Sequence, residues 1–280
     1  MSVRIVADSS ISVPDSYLDR LKIAEVLATL HFGKESYTSK ALAPDEFYRR
    51  LAAAASPPTT SQPTPQQFAE AYARLAAEGA DAIVAVCVSG ALSGTLNSAV
   101  LAAEHAPVPV HIWDSQHVSM AGGWQAIRAA EIAAAGADVN AILAELTQVR
   151  AQMQMYFTPA NLRYLVASGR APKLRGTLGD ILNIKPVLST IEGRLEPIAQ
   201  VRSQQRALDF MLDRVAAALG NRPARVAVGH CNAPAAGAAY MAAAQARLNV
   251  VEQVVFDLGP VLAALGGPGL IGLAAYPLTA

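Results

Sequence analysis

Two short hydroxyl-rich segments are the parts of this chain best equipped to hold a ligand. The first is Pro57-Pro58-Thr59-Thr60-Ser61-Gln62-Pro63-Thr64-Pro65, in which three consecutive hydroxyl residues stand between prolines. Proline fixes its own φ and biases the residue before it toward extended backbone, so this stretch reads as a stiff, extended loop. Two readings stay open: an ordinary linker with Thr64 capping a helix that opens at Pro65, or a ligand-contacting loop through Thr60 and Ser61. The second segment is Ser89-Gly90-Ala91-Leu92-Ser93-Gly94-Thr95. Ser93 is placed to be a helix N-cap, and Gly94 and Thr95 open a helix whose free N–H groups suit an anion. Gly90 and Gly94 allow the backbone to approach a neighbour closely. A nucleophile elbow needs glycine two residues before the serine, and Ala91-Leu92 precede Ser93. A P-loop lysine is missing too. This chemistry is that of hydrogen-bonding a small acid group.

Other candidates are weaker. Asp8-Ser9-Ser10 and Asp114-Ser115 each follow a strand-like run, where a carboxylate braces a loop or caps a helix. Of the five histidines, His105 and His111 fall at a helix end and in a strand pattern, His31 in a hairpin and His117 after the Asp114 loop. His230, in Gly229-His230-Cys231-Asn232-Ala233-Pro234, stands at a strand-to-helix junction and is the best placed for a site. A Ser-His-Asp triad cannot be read from this spacing, and no cluster has metal-ligand spacing. Gly266-Gly267-Pro268-Gly269-Leu270-Ile271-Gly272 formally contains G-x-G-x-x-G, but nothing helical follows and no acid stands downstream, so a dinucleotide site is rejected. Its glycines are expected to fit a turn tightly against another loop or a ligand. Gly169-Arg170-Ala171-Pro172-Lys173-Leu174-Arg175 is a compact cationic loop, followed by Lys185, Arg194, Arg202 and Arg206. It is either a solvated face or a rim for an acidic partner or a phosphate.

The elements that must position these residues follow from periodicity. Strands are predicted at Val3 to Ala7, Ile23 to Leu30, Ala82 to Val88 and Val108 to Trp113. Helices are predicted at Asp15 to Leu21, Asp45 to Ala55, Pro65 to Glu78, Gly94 to His105 and Trp124 to Ala135. This βα alternation predicts a parallel sheet flanked by helices in an N-terminal domain, residues 1–155. Gly33-Lys34 reads as a hairpin turn. Residues 156–280 read as a mixed α/β domain. Its strands are predicted at Ile184 to Thr190, Leu195 to Ala199, Arg225 to Gly229, Val250 to Phe256 and Leu270 to Ala275, its helices at Gln204 to Leu219 and Pro234 to Leu248. Glu192-Gly193-Arg194 reads as a second hairpin turn.

Bulk composition narrows the function. The 280 residues suffice for two domains, and 22 basic residues cancel 22 acidic ones. No basic stripe for nucleic acid and no polybasic membrane patch is present. Apolar residues reach 52%, much of it alanine, yet the apolar runs have strand length and fall short of a membrane span. The N-terminus enters a strand at once, without the charged start and apolar stretch of a signal peptide. Cys87 and Cys231 read as free thiols. The expected location is the cytoplasm.

Taken in order, these segments resemble the DegV family nearly end to end. The resemblance rests on Asp8-Ser9-Ser10, Thr60-Ser61-Gln62-Pro63, Ser89 to Thr95, Asp114-Ser115 with Gly122-Gly123, and Leu165 to Arg170. Leu182-Asn183-Ile184-Lys185-Pro186, Val201-Arg202 and His230 to Ala233 complete it. One departure stands out: Gly259-Pro260-Val261-Leu262-Ala263-Ala264 leads to Leu265, where the family commonly has histidine. The resemblance implies two α/β domains enclosing one long-chain fatty acid between them, with no cofactor and no catalytic residue. It implies a carboxylate held by Thr60, Ser61 and Ser93, with Gly94, Thr95 and His230 in the ligand-binding set. It further implies a separate fatty acid kinase as partner, with Arg170, Lys173 and Arg202 facing that partner or a phosphate. The alternative is a phosphotransfer or hydrolytic enzyme on a related scaffold using His230 or Asp8, which would turn over ATP or an ester. The lack of a phosphate-cradling lysine and of clustered carboxylates counts against it. A lipid-sensing regulator is a third reading.

Overall fold

The computed structural model describes residues 2–177 and 184–278, so Leu182 and Asn183 lie outside the described residues. The chain forms two compact units, Met1–Thr29 with Thr60–Ala151, and Leu30–Thr59 with Gln152–Ala280.

The first unit opens with β1 (Val3–Asp8), a single 3₁₀ turn (Ser9–Ile11), α1 (Asp15–Leu21) and β2 (Ala24–Val26). The chain leaves it within β3 (Thr29–Phe32), continues through β4 (Glu35–Thr38) and α2 (Pro44–Ala53), and returns within β5 (Thr59–Ser61). Gly33-Lys34 joins β3 to β4, with Gly33 at φ +60°, as the hairpin reading expected. Then follow α3 (Pro65–Ala77), β6 (Ala82–Cys87), α4 (Thr95–Ala103), β7 (Val110–Asp114), α5 (Met120–Ala134) and α6 (Val139–Gln152). Strands β2-β1-β6-β7 form a parallel sheet. Central β6 is buried along its whole length, as a strand covered on both faces must be.

One predicted element breaks in two. Ile23 to Leu30 was expected as a single strand, but β2 and β3 belong to different sheets. Between them the backbone bonds to side chains in place of a ladder: Ala28 N donates to Ser9 Oγ at 3.0 Å, and Gln67 Nε2 donates to Leu27 O at 3.3 Å. Pattern alone cannot show this, because the competing partners lie 19 and 40 positions away.

Helix α5 packs on β1 and the Ser9–Ile11 turn, and ten of its residues are buried. Gly122 and Gly123 make this approach possible. A Cβ at Gly123 would stand 2.6 Å from Ile11 O and 2.8 Å from Met120 Sδ. Trp124 beside them is fully buried and meets Tyr17 edge-on at 6.0 Å.

The second unit runs β8 (Gln154–Thr158), α7 (Arg163–Ser168), a 3₁₀ segment (Pro172–Thr177), β9 (Lys185–Ile191) and β10 (Arg194–Val201). It continues through α8 (Gln204–Leu219), β11 (Ala224–His230), α9 (Pro234–Gln245), β12 (Val250–Asp257), α10 (Gly259–Gly266) and β13 (Ile271–Pro277). The sheet order is β10-β9-β8-β13-β11-β12, with only β11 and β12 parallel. Val187, Val226, Val228 and Leu273 meet Met211, Val215 and Tyr240 in one apolar core. Glu192 and Gly193, at φ 49° and 77°, turn β9 into β10 as a two-residue hairpin of the kind right-handed strand twist favours.

Helix α10 has no counterpart among the predicted elements; the stretch expected as a glycine turn, Gly266 to Gly272, begins only at its last residue. Gly259-Pro260-Val261-Leu262-Ala263-Ala264-Leu265-Gly266 has no polar position to reveal a helical period. Pro260 in its first turn and positive-φ Gly267 after its end nevertheless start and stop a helix. Helix, glycine turn and strand β13 follow in the reverse of the order a dinucleotide fingerprint needs. The tight fit expected of these glycines is present. A Cβ on Gly267 would overlap the Tyr164 ring, and one on Gly269 would lie 2.8 Å from Ala160 Cβ.

We expect Gly123→Ala to cost roughly 1–3 kcal/mol by overpacking the α5 contact, measured by urea unfolding. A neutral result would mean that the Ile11 turn yields freely.

Candidate functional site

In the parallel sheet, β1 sends the chain to β2 on one side while β6 leads to β7 on the other. The order therefore reverses between β1 and β6, and open α/β sheets place ligands outside the carboxyl ends of strands at such a point. The loops that end β1, β6 and β7 meet there.

Asp8 at the end of β1 is 1% exposed. Its Oδ2 accepts from Val88 N at 2.7 Å and its Oδ1 from Ser10 N at 2.8 Å. Burial raises its pKa, and these two backbone donors oppose the rise. Asp8 therefore braces the loops and caps the Ser9–Ile11 turn, the role expected of it. Asp114 does the same at the end of β7, accepting from Gln116 N at 2.9 Å and Gly90 N at 3.3 Å. Ser89 N donates to His117 O at 2.9 Å, and Ser115 N to Cys87 O at 3.1 Å. The three loops are thus bonded to one another through backbone groups.

On this frame stands the hydroxyl cluster. Ser89 O accepts from both Leu92 N and Ser93 N, turning the chain into α4. The N-cap position falls at Gly94, one residue beyond the expected Ser93. Ser93 Oγ still accepts from Thr95 N at 3.3 Å and lies 2.8 Å from Thr95 Oγ1. The shift arises because Ser93 is part of the turn closed by Ser89 O, so the helix begins one residue later. Ser93 is half-buried, Thr95 buried and Gly94 exposed.

The Thr60-Ser61-Gln62 loop meets this cluster through Gln62. Its Nε2 donates to Ser98 Oγ at 3.2 Å, and its amide lies so close to Gly94 that a Cβ there would overlap it. The two hydroxyl segments, distant in sequence, are therefore in contact. Thr60 is half-buried and Ser61 exposed, both in β5. The linker reading of the proline-rich stretch also holds in part: Thr64 and Gln67 form a reciprocal capping box on α3, with Pro65 in the first turn.

His230 belongs to the second unit. It is 7% exposed, with Nδ1 3.4 Å from Asp257 Oδ2, and Gly237 has no side chain to clash with its ring. Asp257 gathers the surroundings, accepting from Tyr48 OH at 2.9 Å on both oxygens, from Asn232 N at 3.1 Å and from Gly259 N at 2.9 Å. Tyr48 and Asp257 were not singled out from the sequence, because they are 209 positions apart and neither lies in a recognisable pattern. Burial pushes the Tyr48 phenol and the Cys231 and Cys87 thiols well above their usual ranges. Neither thiol is thus poised as a nucleophile.

The basic candidates also lie in the second unit. Arg170 is half-buried and donates to Ser168 O at 2.6 Å. Lys173 is exposed, 2.8 Å from Glu196 Oε2, and Arg202 is exposed just after β10. Leu265 is half-buried on α10. Among the described residues no group of three or more His, Cys, Asp or Glu could hold a metal ion, and no helix is long and apolar enough to cross a membrane.

A parallel sheet with hydroxyl loops at its switch point, joined in one chain to a mixed six-stranded sheet, defines the class of fold. The chain belongs to the DegV family, whose model, described as "Uncharacterised protein, DegV family", matches residues 2–278. It is similar to a DegV domain-containing protein of Streptomyces coelicolor, at 34% identity over 97% of each chain. Among solved structures it resembles the Thermus thermophilus DegV family protein described by its fatty acid binding, with a TM-score of 0.90 and 34% identity. That match covers 99% of this chain and 100% of that one. The Thermotoga maritima DegV lipid binding protein superposes with a TM-score of 0.91 at 28% identity, over 99% of both chains.

His117, in the loop after β7, supplies a pH test of this frame. Burial, and then the Arg150 charge, lower its pKa from 6.5 to about 4. Between those values the unfolded chain binds a proton that the folded chain does not, so stability falls as pH drops through this window and is unaffected above it. The full effect is on the order of 3 kcal/mol. Urea unfolding from pH 7 to pH 4 should show this slope, and His117→Gln should flatten it. Equal slopes in both proteins would contradict the assignment.

Proposed function

We propose that this protein binds one long-chain fatty acid in an apolar tunnel, its carboxylate held by Thr60, Ser61 and Ser93 with the backbone at Gly94 and Thr95. The observation that carries this reading is the meeting of the two hydroxyl segments, through Gln62, Gly94 and Ser98, at the switch point of the parallel sheet. A carboxylate leaving water needs donors, and hydroxyls beside a helix N-terminus supply them. Relatives with 34% and 28% identity are described as binding fatty acid or lipid, which supports the same ligand class here.

The energetics permit it. Burying about fifteen methylenes at ~0.8 kcal/mol each gives roughly 12 kcal/mol gross. Ordering the acyl chain takes back several kcal/mol. The reading needs no cofactor and no catalytic residue, since the ligand is held and not transformed. The finer part of the proposal is that the bound acid is presented to a separate fatty acid kinase, with Arg170, Lys173 and Arg202 facing that partner or its phosphate. Reversing these charges should abolish stimulation of such a kinase while leaving lipid binding intact. Unchanged stimulation would remove the kinase role alone.

The direct test is native mass spectrometry of freshly purified protein, followed by denaturing extraction and lipid analysis. One fatty acid per chain is expected. Ser93→Ala should weaken retention about tenfold or more, the loss of one hydrogen bond to a charged group. A ligand-free protein that takes up no added fatty acid would overturn the proposal.

A further inference from the structure

The segment from β3 to β5 is braced from within. Helix α2 buries Phe47, Tyr48 and Leu51 and leaves Glu46, Arg49 and Arg50 on its wetter side. Phe47 meets the Phe32 ring of β3 at 6.1 Å between centroids. Arg50 donates to Glu46 Oε1 at 2.6 Å on its own helix, and to Glu35 Oε2 at 2.6 Å and Tyr37 OH at 2.9 Å on β4. A lone exposed ion pair contributes little, whereas a guanidinium shared among three partners fixes a geometry. Strand β3 lies between β4 and β5 in a three-stranded sheet, and β5 consists of Thr59, Thr60 and Ser61. Helix α2 is therefore joined to β5 through an aromatic contact, a guanidinium and a strand ladder.

Tyr48 carries a bond out of this segment. It is 8% exposed, and its hydroxyl donates to Asp257 at 2.9 Å from each carboxylate oxygen. Asp257 is held in turn by Asn232 N at 3.1 Å and Gly259 N at 2.9 Å, so the phenol bonds to an acceptor that backbone groups keep in place. A buried phenol that loses its acceptor is destabilised, which keeps α2 in one seat.

We propose that Tyr48 is a positioning residue for the ligand-holding hydroxyls: its bond to Asp257 seats α2, and through α2, β4 and β3 it sets where β5 presents Thr60 and Ser61. This role rests on the reading above that Thr60 and Ser61 hold the carboxylate. Tyr48 acts through the strand and not by contact with the ligand. Hydroxyl donors bond only when distance and direction are right, and the bond weakens steeply as they depart. A displaced β5 therefore loses hold of an acid group while the fold stays intact. Coupling of this kind runs through packed side chains and hydrogen bonds that form one connected set.

Palmitate affinity, thermal melting and backbone amide exchange of the intact chain test this. Tyr48→Phe deletes the hydroxyl and keeps the ring, so α2 retains its apolar contacts. It should weaken palmitate binding about three- to tenfold and speed amide exchange at Thr60 and Ser61. Ser61→Ala should weaken binding less in the Tyr48→Phe protein than in the wild type, because a displaced hydroxyl has less to lose. Tyr240→Phe is the control for a lost buried hydroxyl, since its phenol donates to Leu208 O at 2.8 Å between α9 and α8. It should lower the melting temperature and leave palmitate affinity unchanged. Additive effects of Tyr48→Phe and Ser61→Ala would overturn the proposal, as would unchanged affinity in Tyr48→Phe or an equal loss in Tyr240→Phe. A wild type that takes up no palmitate would remove the fatty acid reading itself, and this role with it.

Discussion

The candidate site depends on how the parallel sheet satisfies the backbone at its carboxyl edge. Where β1, β6 and β7 end, ladder pairing stops and buried N–H groups must find other acceptors. Asp8 supplies two of these bonds from one buried carboxylate, at the point where the strand order reverses. Burial of that carboxylate is costly, and its hydrogen bonds to Val88 and Ser10 oppose that cost. Asp114, Ser89 and Ser115 complete the mesh between the three loops. The Ser89–Thr95 turn is held by this mesh, so the position of every hydroxyl near the N-terminus of α4 follows from it.

Asp257 plays the corresponding part in the second unit. It receives donors from Tyr48, Asn232 and Gly259 and stands beside His230. It thereby ties α2, the β11–α9 junction and the start of α10 to the end of β12. A single acid can organise four chain segments because a carboxylate offers about four acceptor sites and each donor here is a backbone amide or a phenol. Both units thus use an aspartate at the end of a strand to fix the loops that follow it.

Local signals made most of the elements legible. Val3 to Asp8 and Ala82 to Cys87 show apolar strand runs, Gln204 to Leu219 a helical period, and Gly33 and Gly193 the positive φ their hairpins require. The proline-flanked hydroxyls and the Ser-Gly turn were visible as candidate ligand segments because their residue types exceed what a linker or a cap needs. Helix α10 was not legible, since eight residues without a polar position show no period. Nor was the break between β2 and β3, where two distant side chains take the place of a ladder.

What the sequence by itself determined was the class of most elements, the chemistry of the candidate site residues and the family, because periodicity, turn residues and hydroxyl density act over a few positions. Tertiary structure alone decided which of these residues meet. It brought Gln62 against Gly94 and Ser98, drew Tyr48 to Asp257 across 209 positions, and clustered Leu30–Thr59 with Gln152–Ala280. The physical reason is that such contacts are settled by burial and by the need to satisfy buried polar groups. Both depend on which surfaces the whole chain brings together, and no local pattern carries that information.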